Sequence, residues 1–219
     1  MRRRLYLMRH GEVSYFAEDG TPFGAGEVVL TDRGRKQALA AAEALAGIEL
    51  DRVVTSGLPR TLETARIVTG RAEVESWPEL REWEGGTLGD LAEDELEQTF
   101  VGALHVRDEN ARFFGGETLR ELMDRVLPAF DRLVAEDWDT ALVVLHGAVN
   151  RLVLSHALAG GRSYFGGFEQ APCCINVLDL GGDGWVVRTV NYVPYDPLAP
   201  ARTTTMEEYW RQYRPGDAR

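Results

Sequence analysis

Four separated stretches of this chain carry side chains suited to phosphorus chemistry. The apolar run Leu5-Tyr6-Leu7-Met8 ends in Arg9-His10-Gly11, which sets a guanidinium beside an imidazole. A strand delivers its last side chains to the sheet edge, and a glycine there lets the backbone turn without a Cβ clash. Histidine can act as a nucleophile, and arginine's planar fork matches the oxygens of a phosphoryl group. Further along stand Arg60 in Thr55-Ser56-Gly57-Leu58-Pro59-Arg60, Glu82 in Leu80-Arg81-Glu82-Trp83-Glu84-Gly85, and His146 in Val143-Val144-Leu145-His146-Gly147. Two imidazoles, two guanidiniums and a carboxylate could assemble one phosphoryl-transfer site. Each also has a plainer reading: a strand-end turn, a solvated helix arginine, a surface carboxylate, a core histidine. Glu84 rivals Glu82.

What must position these residues is an alternation of strands and helices. Strands are expected at Leu5–Met8, Arg52–Thr55, Ala72–Ser76 and Thr140–Leu145, the last being the strongest central-strand signal. Val177–Leu180 and Trp185–Val190, joined by Gly181-Gly182-Asp183-Gly184, read as a hairpin. The pair Cys173-Cys174 falls in an expected strand. Helices are expected at Asp32–Leu45 behind an N-cap Thr31, at Leu58–Val68 with Pro59 in its first turn, and at Leu91–Phe100. Two more run from Thr118 to about Ala135, kinked or divided at Pro128, and from His146 through Ala159. This order implies a three-layer α/β/α sandwich with a mainly parallel sheet, in which ligands gather at the carboxyl ends of strands. Arg9-His10, Ser56 and His146 all follow strands at that same edge.

Bulk properties narrow the class. The 219 residues suffice for one domain spanning 1–219, with a proline-rich, then charged tail from about residue 194 expected to pack loosely. A net charge of -11 argues against a general nucleic-acid or anionic-membrane binder. A local arginine cluster can still attract a small anion, because its field dominates within about 8 Å at physiological salt. Two adjacent cysteines make no disulfide scaffold, and no apolar run suits a signal peptide or a membrane span, so a cytoplasmic location is expected. The four histidines lack ligand-like spacing, and neither a metal nor another cofactor is expected.

In their order and spacing these motifs resemble the histidine phosphatase superfamily, the phosphoglycerate mutase-like family, from about Leu5 to Leu180. The resemblance implies a phosphoric monoester hydrolase of branch 1 type. His10 would attack phosphorus through Nε2 to form a phosphohistidine, its Nδ1–H held by a backbone carbonyl. Arg9, Arg60 and His146 would grip the nonbridging oxygens, with Gly11 and Gly147 also in the substrate site. Glu82 would protonate the leaving alkoxide and then deprotonate the attacking water. Val13 and Phe16 depart from the Thr and Asn common in the family, which makes the pocket less polar, and Glu63 replaces a Gln outside the phosphate shell. Specificity is assigned to Tyr15, Phe16, Phe23, Trp83 and the segment His105–Phe114. His105 and His156 are otherwise structural. The expected activity is hydrolysis of a small phosphorylated metabolite. The alternatives are a bisphosphoglycerate-dependent mutase, to which Arg107 and Arg112 could contribute, and a non-catalytic phospho-ligand binding module. The oligomeric state, a homodimer among the options, is left open.

Overall fold

Side chains alternate in environment along the central strands, and that alternation builds the layers. In a computed structural model describing residues 1–17, 21–24, 26–86, 99–100, 102–198 and 202–213, Leu5, Leu7, Val143 and Leu145 join one buried cluster. Their neighbours Tyr6, Met8, Leu142 and Val144 join another. This is the two-residue period of a strand buried on both faces. The strands are β1 (Arg3–Arg9), β2 (Arg52–Thr55), β3 (Glu75–Ser76), β4 (Thr140–Leu145), β5 (Ile175–Gly181) and β6 (Gly184–Tyr192), in the sheet order β3-β2-β4-β1-β5-β6. The first four strands of that order run parallel; β5 lies antiparallel to β1, and β6 to β5. Helices α1 (Asp32–Ala44) and α2 (Pro59–Thr69) supply residues to the cluster on one face. Helices α3 (Leu119–Ala135) and α4 (Gly147–Ala159) supply the other. The fold is the expected α/β/α sandwich with a mainly parallel sheet.

The local signals hold where they rest on capping chemistry. Thr31 caps α1, its hydroxyl accepting from Gly34 N at 3.0 Å. Pro59 opens α2, and Thr118 with Glu121 forms a reciprocal capping box on α3. Pro128 does not divide α3. Asp124, whose carbonyl loses its i+4 donor there, is exposed, so solvent can take up the bond. The strand expected over Ala72–Ser76 shrinks to two exposed edge residues. Cys173-Cys174 precedes β5 rather than lying in it, with Cys173 at φ +53. Most of the helix expected at Leu91–Phe100 lies outside the described residues.

The tail requires a correction. Within it the segment Thr205–Tyr213 does not pack loosely: it forms helix α5, with Thr205 and Tyr209 buried. Met206, Tyr209, Trp210 and Tyr213 recur at helical spacing and join Phe16, Phe100 and Phe114 in an aromatic cluster. Among the described residues no helix is long and apolar enough to cross a membrane.

Candidate active site

Strand register explains why distant residues meet. Arg9 pairs with Leu145 across β1 and β4, so His10 and His146, each one residue further on, leave the sheet at the same level. Their ring centroids lie 5.2 Å apart. Thr55 pairs with Val144, which brings Ser56 to the same edge. Gly11 is required for space rather than for an unusual φ. A Cβ there would stand 2.7 Å from the carbonyl oxygen of Gly34, where α1 begins. The Gly11 N–H donates to Thr64 Oγ1 at 3.0 Å, tying the loop after His10 to α2.

His10 is buried, and its Nδ1 lies 2.7 Å from the carbonyl oxygen of Gly11, which can only accept. The proton is therefore on Nδ1, and Nε2, which has no partner among the described residues, presents its lone pair. Burial, with Arg60 and Arg9 close by, holds the His10 pKa well below 6.5, so the ring is neutral. His146 is likewise held down, first by burial, then by Arg60, His10 and Arg9. Its Nε2 lies 2.7 Å from Ser56 Oγ, while its Nδ1 is buried without a partner among the described residues.

Arg9 is only 4% exposed. Its Nη1 donates to the Gln170 carbonyl at 2.5 Å and to Thr205 Oγ1 at 3.1 Å, and its Nη2 donates to the Tyr209 hydroxyl at 2.8 Å. Its Nε has no hydrogen-bond partner among the described residues. Arg60, in the first turn of α2, is buried beneath the Tyr15 ring, 5.7 Å from the centroid. Glu82 is half-buried at the N-terminus of α4, where its Oε1 accepts from the N–H groups of Trp83, Ala148 and Val149 at 3.0, 3.2 and 3.4 Å. Its rival Glu84 is exposed. Gly147 lies between these groups: a Cβ there would stand in ordinary contact, 3.7 Å, with both Arg9 Nε and Glu82 Oε2. The five residues picked out in sequence thus lie close together, Arg9, Arg60 and His146 near His10 and Glu82 near Arg9. The arrangement offers a bare imidazole nitrogen, a cationic surround and a carboxylate.

The specificity residues scatter. Tyr15 and Phe16 belong to the aromatic cluster beneath α5. Phe23 is 52% exposed and outside that cluster. Trp83 is a core residue, stacked on Phe113 at 5.2 Å and donating to the Glu117 carbonyl. Within His105–Phe114, His105, Arg107 and Arg112 are exposed, whereas Phe114 is buried. His156 sits 3.4 Å from Asp131, and Glu63 bonds Arg35 and Leu30 N. The buried thiols are not nucleophiles, burial pushing Cys174 up to about 12. Sequence reasoning missed Thr205 and Tyr209, although the helical spacing around Tyr209 was a readable signal. It also missed Arg125, which binds the backbone around Glu82; no local pattern marks that residue.

A family model described as the histidine phosphatase superfamily (branch 1) matches residues 5–193. The chain belongs to this superfamily. A protein of Arabidopsis thaliana named "Probable 2-carboxy-D-arabinitol-1-phosphatase" is 32% identical over 90% of the chain, which spans only 43% of that relative. The glucosyl-3-phosphoglycerate phosphatase of Mycolicibacterium vanbaalenii is 34% identical over 67% of this chain and 70% of its own. Proteins named as phosphoglycerate mutases also match. Among solved structures, a mycobacterial glucosyl-3-phosphoglycerate phosphatase in complex with inorganic phosphate is 25% identical. It superposes with a TM-score of 0.67 over 88% of this chain and 98% of that one. As a histidine phosphatase relative, the chain shares a superfamily with both phosphatases and mutases.

Proposed function

We propose that the chain is a phosphatase that hydrolyses a small phosphate monoester through a phosphohistidine, with His10 as nucleophile and Glu82 as acid and base. The observation that carries this reading is the state of His10: a neutral ring, its Nδ1–H engaged by Gly11 and its Nε2, beside Arg9 and Arg60, without a partner among the described residues. A neutral nucleophile avoids repulsion by a dianionic ester. The Nε2 lone pair would bond to phosphorus as the ester P–O bond breaks. Glu82 in its acid form would pass a proton to the departing oxygen. The resulting carboxylate would then take a proton from water as the oxygen attacks phosphorus, and cleavage of N–P would release phosphate and restore neutral His10. Arg9, Arg60 and His146 would offset the charge on the transferring oxygens, which is the main catalytic device in such reactions.

A second reading, a phosphoglycerate mutase type of transfer, is favoured by the near-complete burial of Arg9, His10, Arg60 and His146, since a mutase must exclude water. One experiment separates the readings. Purified protein is assayed on an aryl phosphate and a panel of phosphorylated metabolites without a bisphosphate primer, with acid-quench trapping of labelled phosphoenzyme. Hydrolysis and a label that disappears in His10→Ala support the phosphatase. Transfer that requires a primer, with negligible hydrolysis, supports the mutase. Phosphate binding with no turnover at all would leave a binding module.

A further inference from the structure

Behind His146 runs a chain of buried hydroxyls. Ser56 Oγ lies 2.7 Å from His146 Nε2 and 3.1 Å from Thr61 Oγ1, and Thr61 Oγ1 lies 2.8 Å from the Leu58 carbonyl oxygen. Ser56, Thr61 and His146 are all 0% exposed, so bulk water does not compete for these bonds. A carbonyl only accepts, which commits the single Thr61 hydroxyl proton to Leu58. Ser56 also has one proton, and two neighbours to receive it.

If Ser56 donates to Thr61, every contact is satisfied: His146 Nε2–H to Ser56, Ser56 O–H to Thr61, Thr61 O–H to Leu58. The weaker contact from Leu58 N–H to Ser56 Oγ, at 3.4 Å, is compatible with this order. If Ser56 donates instead to His146, two oxygen lone pairs face each other at 3.1 Å, away from bulk solvent. An unsatisfied buried polar contact of that kind is unfavourable, by about 1–3 kcal/mol in general. The first order therefore prevails.

We propose that Ser56, backed by Thr61, is a positioning residue that keeps the proton of neutral His146 on Nε2, so that His146 can hold a phosphoryl oxygen only after Nδ1 takes up a proton from solvent. This rests on the reading of the cleft as a phosphoryl site. The two rings then carry opposite tautomers, with lone pairs on His10 Nε2 and His146 Nδ1. The first is what a nucleophile needs. The second repels an anion until it is protonated.

The charges around His146 fit this coupling. Arg9 faces it from the end of β1 and His10 from the residue after it, Arg60 from α2 and Arg125 from α3, and Glu82 caps the helix that follows it. The cations, together with burial, keep the ring neutral in the free protein. A bound dianion reverses the local field and draws one proton onto Nδ1. Uptake of one proton per dianion makes affinity fall by about tenfold per pH unit wherever the free ring is neutral.

Tungstate, which remains a dianion through the neutral range, is the probe. Calorimetry in buffers of different ionisation enthalpy should show close to one proton taken up per tungstate bound by the wild type. Nitrogen-15 spectra of histidine-labelled protein should show free His146 protonated at Nε2 alone, and bound His146 protonated at both nitrogens. Ser56→Ala, which removes the acceptor at Nε2, should admit the Nδ1–H tautomer, lower the uptake and flatten the pH dependence. Ser56→Thr, which keeps the hydroxyl, should retain both. An Nδ1–H tautomer in the free wild type, or uptake unaltered by Ser56→Ala, would overturn the inference. Should the alanine variant fail to fold, the wild-type tautomer alone decides. Tungstate that leaves the His10 resonances unmoved would instead overturn the reading of the cleft itself.

Discussion

Arg125 is the point at which the loop bearing the expected acid can be loosened without touching the acid. From α3 its Nη1 donates to the carbonyls of Glu79 and Arg81 at 2.9 and 2.7 Å, and its Nη2 to that of Glu82 at 3.1 Å. The same guanidinium pairs with both oxygens of Glu117, at 2.9 and 2.7 Å. The two side chains are 23% and 12% exposed. Arg125→Ala removes all five contacts and leaves the Glu117 carboxylate without its cation. Breaking a buried pair in this way costs about 3–5 kcal/mol, and the residual solvent access argues for about 3. For a chain of this size that lowers Tm by about 6–12 °C. A displacement near 1 Å at the acid corresponds to about a 100-fold loss in rate. The assay is kcat on an alkyl phosphate well below the variant's Tm, measured on the wild-type and Glu82→Gln backgrounds. Because Arg125 acts through Glu82, the 100-fold loss should vanish once Glu82 is already replaced. Equal losses on both backgrounds, or a folded Arg125→Ala protein with undiminished kcat, would refute the reasoning.

Glu82→Gln keeps a carbonyl oxygen for the N–H groups of Trp83 and Ala148, so the protein should fold. Its kcat/KM should fall by about 10²–10⁴-fold on alkyl phosphates and much less on aryl phosphates, whose leaving groups need little protonation. A loss independent of the leaving group would count against an acid role. Tyr209→Phe leaves the buried Arg9 Nη2 without its acceptor, and kcat/KM should drop about tenfold, as expected for a hydrogen bond to a charged group; unchanged kinetics would detach α5 from the site. His10 and His146 both have pKa values depressed in the folded state, so the unfolded chain binds more protons below about 6.5. Their contribution to stability is therefore full above that value and is lost as pH falls. Melting temperatures across acidic pH should show this slope, and it should flatten in a His10→Gln, His146→Asn double variant.

The legible part of the site lies at the ends of parallel strands. Arg9, His10, Ser56 and His146 each follow an apolar run, and parallel strands discharge their last residues at one edge, so their convergence could be read before the register was known. Glu82 was identified by its place in a family pattern rather than by any local propensity, and the backbone donors of α4 distinguish it from the exposed Glu84. Phe23 and Trp83 show the limit of that reading: an aromatic side chain is equally suited to a cleft, a core or the surface, and only its neighbours decide which. The tail shows the opposite error, since the spacing of Met206, Tyr209, Trp210 and Tyr213 signals an amphipathic helix that the prolines before it obscured.

What this sequence determined alone is periodic or chemical. The two-residue alternation of the strands, the caps at Thr31 and Thr118, and the types of the five site residues all follow from neighbours within a turn or two of chain. Tertiary structure decided the rest through register and long-range contact. Pairing of Arg9 with Leu145 sets the two imidazoles 5.2 Å apart. Tyr209 reaches Arg9 across 200 residues of chain, and Arg125 gathers the carbonyls around Glu82. The protonation of His10 follows from burial and two neighbouring guanidiniums rather than from its identity, because a pKa belongs to a site and not to a residue type.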